Sequence, residues 1–339
     1  MGVTIKDVAA KANTSVATVS RVINDSGYVS PELKSKVQQA ITELNYRPNA
    51  VAKSLKNEKT NMIGLLISDI TNPFFSSVVK AIEDTLNKKG YTVILCNTGE
   101  DSRKEKKYLK ELLDRQIDGF IVSAVSNNGD HFQQILKQGL PLVFVNRVPD
   151  NVHTDNVILT DNKKGGYLAA KHLIDLGHSR IGAIVGPGSL NTGRDRRNGY
   201  ERALKEKGID VNKKLIKVGD FSRESGYYLI KELIHMDQPP TAVFVANNEM
   251  TLGAIEALKK LSIRIPEELS LVGFDYSEWM MVVEPKLTSI VQQSYQLGKE
   301  SARRLLDIIK TGEKEYSKSR KILPPEFLAG NSSKYYKEK

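Results

Sequence analysis

Several short apolar runs in the chain end in the same kinds of side chain, and those side chains share a chemistry. "MIGLLIS" is followed by "DITNPFF", which offers Asp69, Asn72, Phe74 and Phe75. "LPLVFVN" leads to Asn146 and Arg147, and "NTGRDRRNGY" supplies Arg194 and Arg196. "GDFS" adds Phe221, "VANNEM" Asn247, "GFDYSEW" Asp275 and Trp279, and "TSIVQQS" Gln292. Aromatic faces cover the apolar C–H face of a sugar ring, while Asn, Asp and Gln take its hydroxyls. The arginines fit a carboxylate or phosphate equally well, because a guanidinium fork matches those anions. Spacing alone leaves open which of Arg194 and Arg196 faces a ligand. Asp161 joins the set, although it and Asp275 also read as helix caps. Phe74 and Phe75 also read as ordinary core, and Trp279 as an interface residue.

The pattern lacks reaction chemistry. Five histidines are scattered without metal-ligand spacing, and the single cysteine, Cys96, sits in the apolar run "YTVILCN". There is no GxSxG elbow, no phosphate-binding loop and no acid–base dyad. The expectation is a binding protein without cofactor or metal, not an enzyme.

The elements that position these residues follow from periodicity. Eight apolar strands are expected in "MIGLLIS", "YTVILCN", "DGFIVSA", "LPLVFVN", "RIGAIVG", "LIKVGD", "TAVFVAN" and "LSLVGFD". Amphipathic helices fill the gaps near 73–89, 103–115, 162–176, 196–207, 223–235 and 249–261. Such alternation predicts parallel sheets covered on both faces, an α/β fold. Ligands in such sheets bind beyond the carboxyl ends of strands, where the candidate residues lie. Two sheets in two lobes fit better than a TIM barrel, since the spacing is uneven and further elements follow residue 290. The polar stretch "VPDNVHTDN" at 148–156 marks a change of lobe.

The first 45 residues read differently. Ile5, Val8, Ala9 and Ala12 form one helical stripe. Thr14 or Ser15 caps a second helix whose Val19, Val22 and Ile23 face the same core. Ser30, Pro31 and Glu32 open a third, with Val37, Ala40, Ile41 and Leu44 inward. Two short helices joined by "NTS" and buttressed by a third outline a helix-turn-helix. Its second helix would present Val16, Ala17 and Arg21 to base edges, where Arg21 suits guanine. Thr4, Lys6, Thr18, Ser20, Asn24 and Tyr46 are suited to phosphates. Residues 1–60 hold nine Lys and Arg against five Asp and Glu, part of a chain net charge of +10.

The remaining bulk features set the class. Length of 339 residues predicts more than one domain, and 40% hydrophobic with 27% charged residues is the balance of a globular protein. One cysteine suits a reducing compartment. The start "MGVTIKDVAAKA" lacks the apolar centre of a secretory signal, and no run is long enough to span a bilayer. A cytoplasmic protein is expected, with no membrane partner.

"VTIKDVAAKANTSVATVSRVIN" and "VSPELKSKVQQAITELNYRPNAVAKSL" resemble the headpiece of the lactose-repressor (LacI/GalR) family over 1–60, and 62–331 resembles its effector core. The resemblance implies a helix-turn-helix headpiece at 1–47 and a hinge helix and linker at 48–60. A two-lobed core like that of periplasmic binding proteins, with parallel sheets, would occupy 61–331. Its first lobe would be 61–161 and 292–320, its second 162–291 and 321–331, with a polar tail at 332–339. In the family the segment matching Asn49–Lys56, including Ala52, orders only when two subunits meet in the minor groove, and the residue matching Leu55 wedges between central base pairs. The short segment "RPNAVAKSLKNEKT" has no core of its own, so pairing on DNA would supply its missing contacts. The implied partners are a second copy of the chain, a pseudo-palindromic duplex operator with a central CpG step, and a sugar-type effector. Asn72, Phe74, Phe75, Arg147, Asn247, Asp275 and Gln292 match a ribose-type cleft most closely, whereas Asn146 replaces the aspartate of those sugar binders. An anionic effector, a phosphoprotein co-regulator and a sugar-carrier role are the alternatives.

Overall fold

A computed structural model of the chain describes residues 3–46, 59–312 and 320–336. The chain divides into two compact units, 1–60 and 61–339.

The first unit holds α1 (Ile5–Lys11), α2 (Val16–Asn24) and α3 (Pro31–Glu43). At the start of α1 the Thr4 backbone N–H and hydroxyl both donate to Asp7 Oδ2, at 2.8 and 2.7 Å. Ser15, not Thr14, caps α2 by accepting from the Thr18 N–H at 3.1 Å. Pro31 occupies the first turn of α3, where no N–H is needed. Val8, Ala9, Ala12, Val19, Val22, Val37 and Ala40 form the buried core, with Ile5, Ile23, Ile41 and Leu44 at its margin.

The second unit contains two six-stranded sheets. The first has the order β11-β5-β4-β3-β1-β2, from β1 (Met62–Ile67), β2 (Thr92–Asn97), β3 (Gly119–Val122), β4 (Leu142–Val145), β5 (Val157–Thr160) and β11 (Lys321–Leu323). The second has the order β12-β10-β9-β8-β6-β7, from β6 (Ile181–Val185), β7 (Ile216–Val218), β8 (Ala242–Val245), β9 (Ser270–Phe274), β10 (Thr288–Val291) and β12 (Glu326–Leu328). Every pairing is parallel except β10 with β12. Both sheets reverse direction of winding beside their first strand, at β1/β3 and β6/β8. Those switch points open a crevice at the carboxyl ends of the strands.

Three expectations need correction. The polar stretch 148–156 stays within the first lobe, linking β4 to β5, and the chain changes lobe only after β5. That strand, "VILT", is too short and too closely flanked by polar residues to stand out by pattern. The segment 321–331 is shared: β11 completes the first sheet and Pro324–Pro325 carries the chain back to β12. Residues 332–336 of the expected polar tail pack on the second lobe. Buried Ser332 donates to the Leu271 carbonyl at 2.6 Å, and the Tyr336 N–H donates to the Leu176 carbonyl at 2.8 Å.

Candidate functional site

A cavity of about 230 Å3 lies between the facing strand ends of the two lobes. Of the expected ligand residues, Asp69, Asn72, Phe74, Phe75, Asn146, Arg147, Arg196, Phe221, Asn247, Asp275 and Gln292 line it. Three of them, Asn146, Phe221 and Asp275, adopt left-handed backbone conformations with φ of 64°, 71° and 74°. A non-glycine residue held there costs about 1–3 kcal/mol, so the surrounding structure imposes these turns. They swing the side chains off the strand ends into the crevice. Gly186 makes room for one of them: a Cβ at that position would lie 1.9 Å from Phe221 Cζ.

The arginines have distinct settings. Arg196 is buried, donating from Nε to Asn162 Oδ1 at 2.8 Å and from Nη1 to the Ala246 carbonyl at 2.6 Å, with its guanidinium 3.7 Å from the Phe274 ring centre. Burial lowers its pKa to about 10, against the opposing pull of Asp275, so it stays charged at neutral pH. Arg147 donates from Nη1 to both carboxylate oxygens of Glu100, at 2.9 and 2.7 Å, and lies 5.0 Å from the Phe221 ring of the other lobe. Arg194 does not line the cavity. It makes a two-pronged ion pair with Asp150, both bonds 2.8 Å, across the lobes. Arg196 is therefore the one that faces the site.

Asp275 is buried and accepts from Gln292 Nε2 at 2.5 Å. Burial pushes its pKa up, while Arg196 and Gln292 pull it down. Burial also raises Glu249, helped by the charge of Asp69. Five buried polar atoms on lining residues have no hydrogen-bond partner: Ser68 Oγ, Asn146 Oδ1, Arg147 Nε, Thr192 Oγ1 and Gln292 Oε1. Leaving such groups unpaired costs about 1–3 kcal/mol each, which a hydroxylated ligand would recover. Asn72 and Asn248 exchange amide hydrogen bonds of 3.1 and 3.0 Å between the lobes. Asn191 adds a bond to the Asn146 carbonyl at 3.3 Å.

Two further expectations fail. Asp161 does not line the cavity and instead caps the helix Asn162–Asp175 by accepting from the Lys164 N–H. Trp279 lines a neighbouring pocket. Phe74 and Phe75 serve both readings, since they pack in the first-lobe core and border the cavity. Ser68, Gly99, Glu100, Thr192, Asp220, Ser222 and Glu249 complete the lining and were not anticipated. Glu100 follows β2, so the strand-end rule applied to every strand finds it. Thr192 was missed because its helix, Asn191–Glu206, begins well before the expected 196.

In the headpiece, Val16, Ala17, Arg21, Asn24, Thr4 and Lys6 are exposed. The Arg21 side chain makes no hydrogen bond or ion pair among the described residues. The Thr18 hydroxyl lies 2.9 Å from Ser15 Oγ, and the Asn24 amide donates to the Ser20 carbonyl and hydroxyl. Tyr46 packs against the headpiece core, which leaves only part of it for a phosphate. Asn49, Ala52, Leu55 and Lys56 lie outside the described residues. No described residues form a group suited to a metal ion, and no described helix is long and apolar enough to cross a membrane.

A three-helix module with an exposed second helix, followed by two parallel-sheet lobes around a polar cavity, defines a ligand-responsive DNA-binding regulator. Residues 4–49 match "Bacterial regulatory proteins, lacI family", and residues 60–339 match "Periplasmic binding proteins and sugar binding domain of LacI family". The chain belongs to the LacI family. Similar proteins include the HTH-type transcriptional repressor PurR of Aliivibrio salmonicida (strain LFI1238), 39% identical over 91% of this chain and 92% of that one. PurR of Pasteurella multocida (strain Pm70) is 37% identical over 98% of each. Among solved structures, the lac repressor dimer bound to operator and the anti-inducer ONPF superposes with a TM-score of 0.87 at 30% identity, covering 98% of this chain and 100% of that one. A LacI family transcriptional regulator from Enterococcus faecium with bound ribose gives 0.72 at 34% identity, covering 81% and 100%. The protein is a DNA-binding transcriptional repressor of this family and not an enzyme.

Proposed function

We propose that the interlobe cavity takes a neutral, sugar-type effector which sets the affinity of a cytoplasmic homodimer for its operator. The charge of the lining carries this reading. Asp69, Glu100, Asp220, Glu249 and Asp275 face only Arg147 and Arg196, and both guanidiniums already have protein partners. An anionic ligand would add charge to a lining that already sets five carboxylates against two guanidiniums. A neutral polyol instead supplies hydroxyls to the unpartnered polar atoms and C–H faces to Phe74 and Phe221. The ribose-bound relative agrees with this class of ligand.

The operator is a pseudo-palindrome with a central CpG, read by α2 in the major groove. Arg21 contacts guanine, and Thr4, Lys6, Thr18, Ser20 and Asn24 meet phosphates. Leu55 wedges the central step. The effector acts by holding the lobes closed, reinforcing the Asn72–Asn248 and Arg194–Asp150 contacts, and so biases how two hinges meet.

The test is a thermal-shift screen of the full chain with neutral pentoses and hexoses, sugar acids and sugar phosphates. A ligand at about 100 times its Kd stabilises the fold by about 2.7 kcal/mol. A neutral sugar is expected to raise the melting temperature and change operator affinity. A response confined to anionic sugars overturns the assignment.

A further inference from the structure

Three segments cross between the lobes. Residues 160–162 lead from β5 into the helix Asn162–Asp175, residues 292–293 lead from β10 into the helix Ser294–Thr311, and residues 324–325 join β11 to β12. Hydrogen bonds tie these crossings to one another. The Asp161 N–H donates to the Leu323 carbonyl at 2.9 Å, and Gln293 Nε2 donates to the Pro324 carbonyl at 3.1 Å.

Asn162 stands between the crossings and the cavity. It is buried, and it is not one of the residues that line the cavity. Its Oδ1 accepts from Arg196 Nε at 2.8 Å, and its Nδ2 donates at 3.2 Å to the carbonyl of Thr160, the last residue of β5. One amide group therefore joins a guanidinium of the second lobe to the closing strand of the first. The backbone behind that guanidinium is fixed: a Cβ at Gly166 would lie 2.0 Å from the Arg196 carbonyl oxygen, so the two helices already touch. Movement of Arg196 is left to its side chain, and the side chain is bonded to Asn162.

We propose that Asn162 is a positioning residue that joins ligand engagement at Arg196 to the angle between the lobes. The proposal rests on the effector reading given above. A guanidinium carries more N–H donors than the contacts to Asn162 and to the Ala246 carbonyl use, so Arg196 keeps donors for a ligand's hydroxyls. A ligand that draws the guanidinium into the cavity pulls on Asn162 Oδ1. The amide is planar, so the pull reaches Nδ2 and the Thr160 carbonyl, and the Asp161–Leu323 bond passes it to a second crossing. Only a side chain that both accepts and donates can serve in this way, and an aspartate accepts without donating.

That difference supplies the test. The full-length protein is titrated with D-ribose by calorimetry. Operator binding, with and without saturating D-ribose, is measured on a pseudo-palindromic duplex that the parent selects from a randomised pool. Asn162→Asp keeps the bond from Arg196 and loses the one to Thr160, so its sugar affinity should stay within about threefold of the parent. The ratio of its operator affinities with and without sugar should come to within about twofold of one. Asn162→Ala loses both bonds and should also weaken sugar binding about tenfold, because Arg196 Nε is left buried and unpaired. A parent-like ratio in Asn162→Asp overturns the proposal, as does a sugar affinity that falls as far as in Asn162→Ala. If the buried carboxylate prevents folding, a parent-like ratio in Asn162→Ala overturns it instead. A parent that binds no D-ribose, or binds it without a change in operator affinity, shows that the effector assignment has failed. Hydrogen exchange without sugar then decides: Asn162→Ala should speed exchange of the Asp161 N–H about tenfold, and an unchanged rate overturns the role of Asn162.

Discussion

The two lobes share a strand order but are not built alike. In the second lobe, helices pack in pairs through glycines that let backbones touch. A Cβ at Gly199 would lie 2.0 Å from the Lys163 carbonyl oxygen, one at Gly166 2.0 Å from that of Arg196, and one at Gly253 1.9 Å from that of Arg223. In the first lobe a single such contact, Gly298 on the Val78 carbonyl at 2.3 Å, joins the helices Pro73–Asn87 and Ser294–Thr311. The guanidiniums differ in the same direction. Arg196 is clamped on three sides within its own lobe, whereas Arg147 rests on exposed Glu100 and on a ring of the opposite lobe. The second lobe is a rigid platform, and the adjustable parts of the site sit on the first lobe and at the seam.

The largest effect expected from this contrast is in Gly199→Ala, which places a methyl group against backbone that has nowhere to move. We expect about 4 kcal/mol of destabilisation in denaturant unfolding. A loss below 1 kcal/mol would remove the rigid-platform argument. Next, Arg196→Met strands Asp275 without its nearby cation and should cost about 3 kcal/mol. Arg147→Met should leave stability within about 1 kcal/mol while weakening effector binding about tenfold. Equal stability losses in the two variants would erase the distinction between the lobes.

Asp150→Asn breaks the exposed pair with Arg194 and should change overall stability by about 0–1 kcal/mol. Its readout is the effector response: a looser closed state shifts the dose curve to higher concentration, and an unshifted curve makes the pair ornamental. The smallest effect concerns Glu249, whose pKa burial raises, with Asp69 adding to it. The folded carboxyl keeps its proton to higher pH than the unfolded one. Its contribution is therefore complete below the ordinary glutamate value of about 4.3 and is lost as pH rises through the raised value. Glu249→Gln removes that loss, so its melting temperature should gain on the parent between acid and neutral pH. A constant difference would show that Glu249 titrates as a solvated group.

Much of this was legible before any tertiary structure. The headpiece helices depend on stripes such as Val8–Ala12 and on caps such as Ser15, which act within a few residues and leave a direct mark in the sequence. The strand ends were equally visible, because buried parallel strands are short apolar runs, and 11 of the 18 residues lining the cavity can be named from those ends and the segments just after them. What only the tertiary structure decided involves partners far apart in the chain. Arg194 and Arg196 differ by two positions, yet one meets Asp150 at the surface and the other meets Asn162 and Ala246 inside. Arg147 loses its claim on an anionic ligand to Glu100, 47 residues away. Strand β11 pairs with β5 across more than 150 residues, which no local period records. Residue type and short-range spacing determine which groups can bind; ion pairing and burial, which act through space, decide which of them are still available to do so.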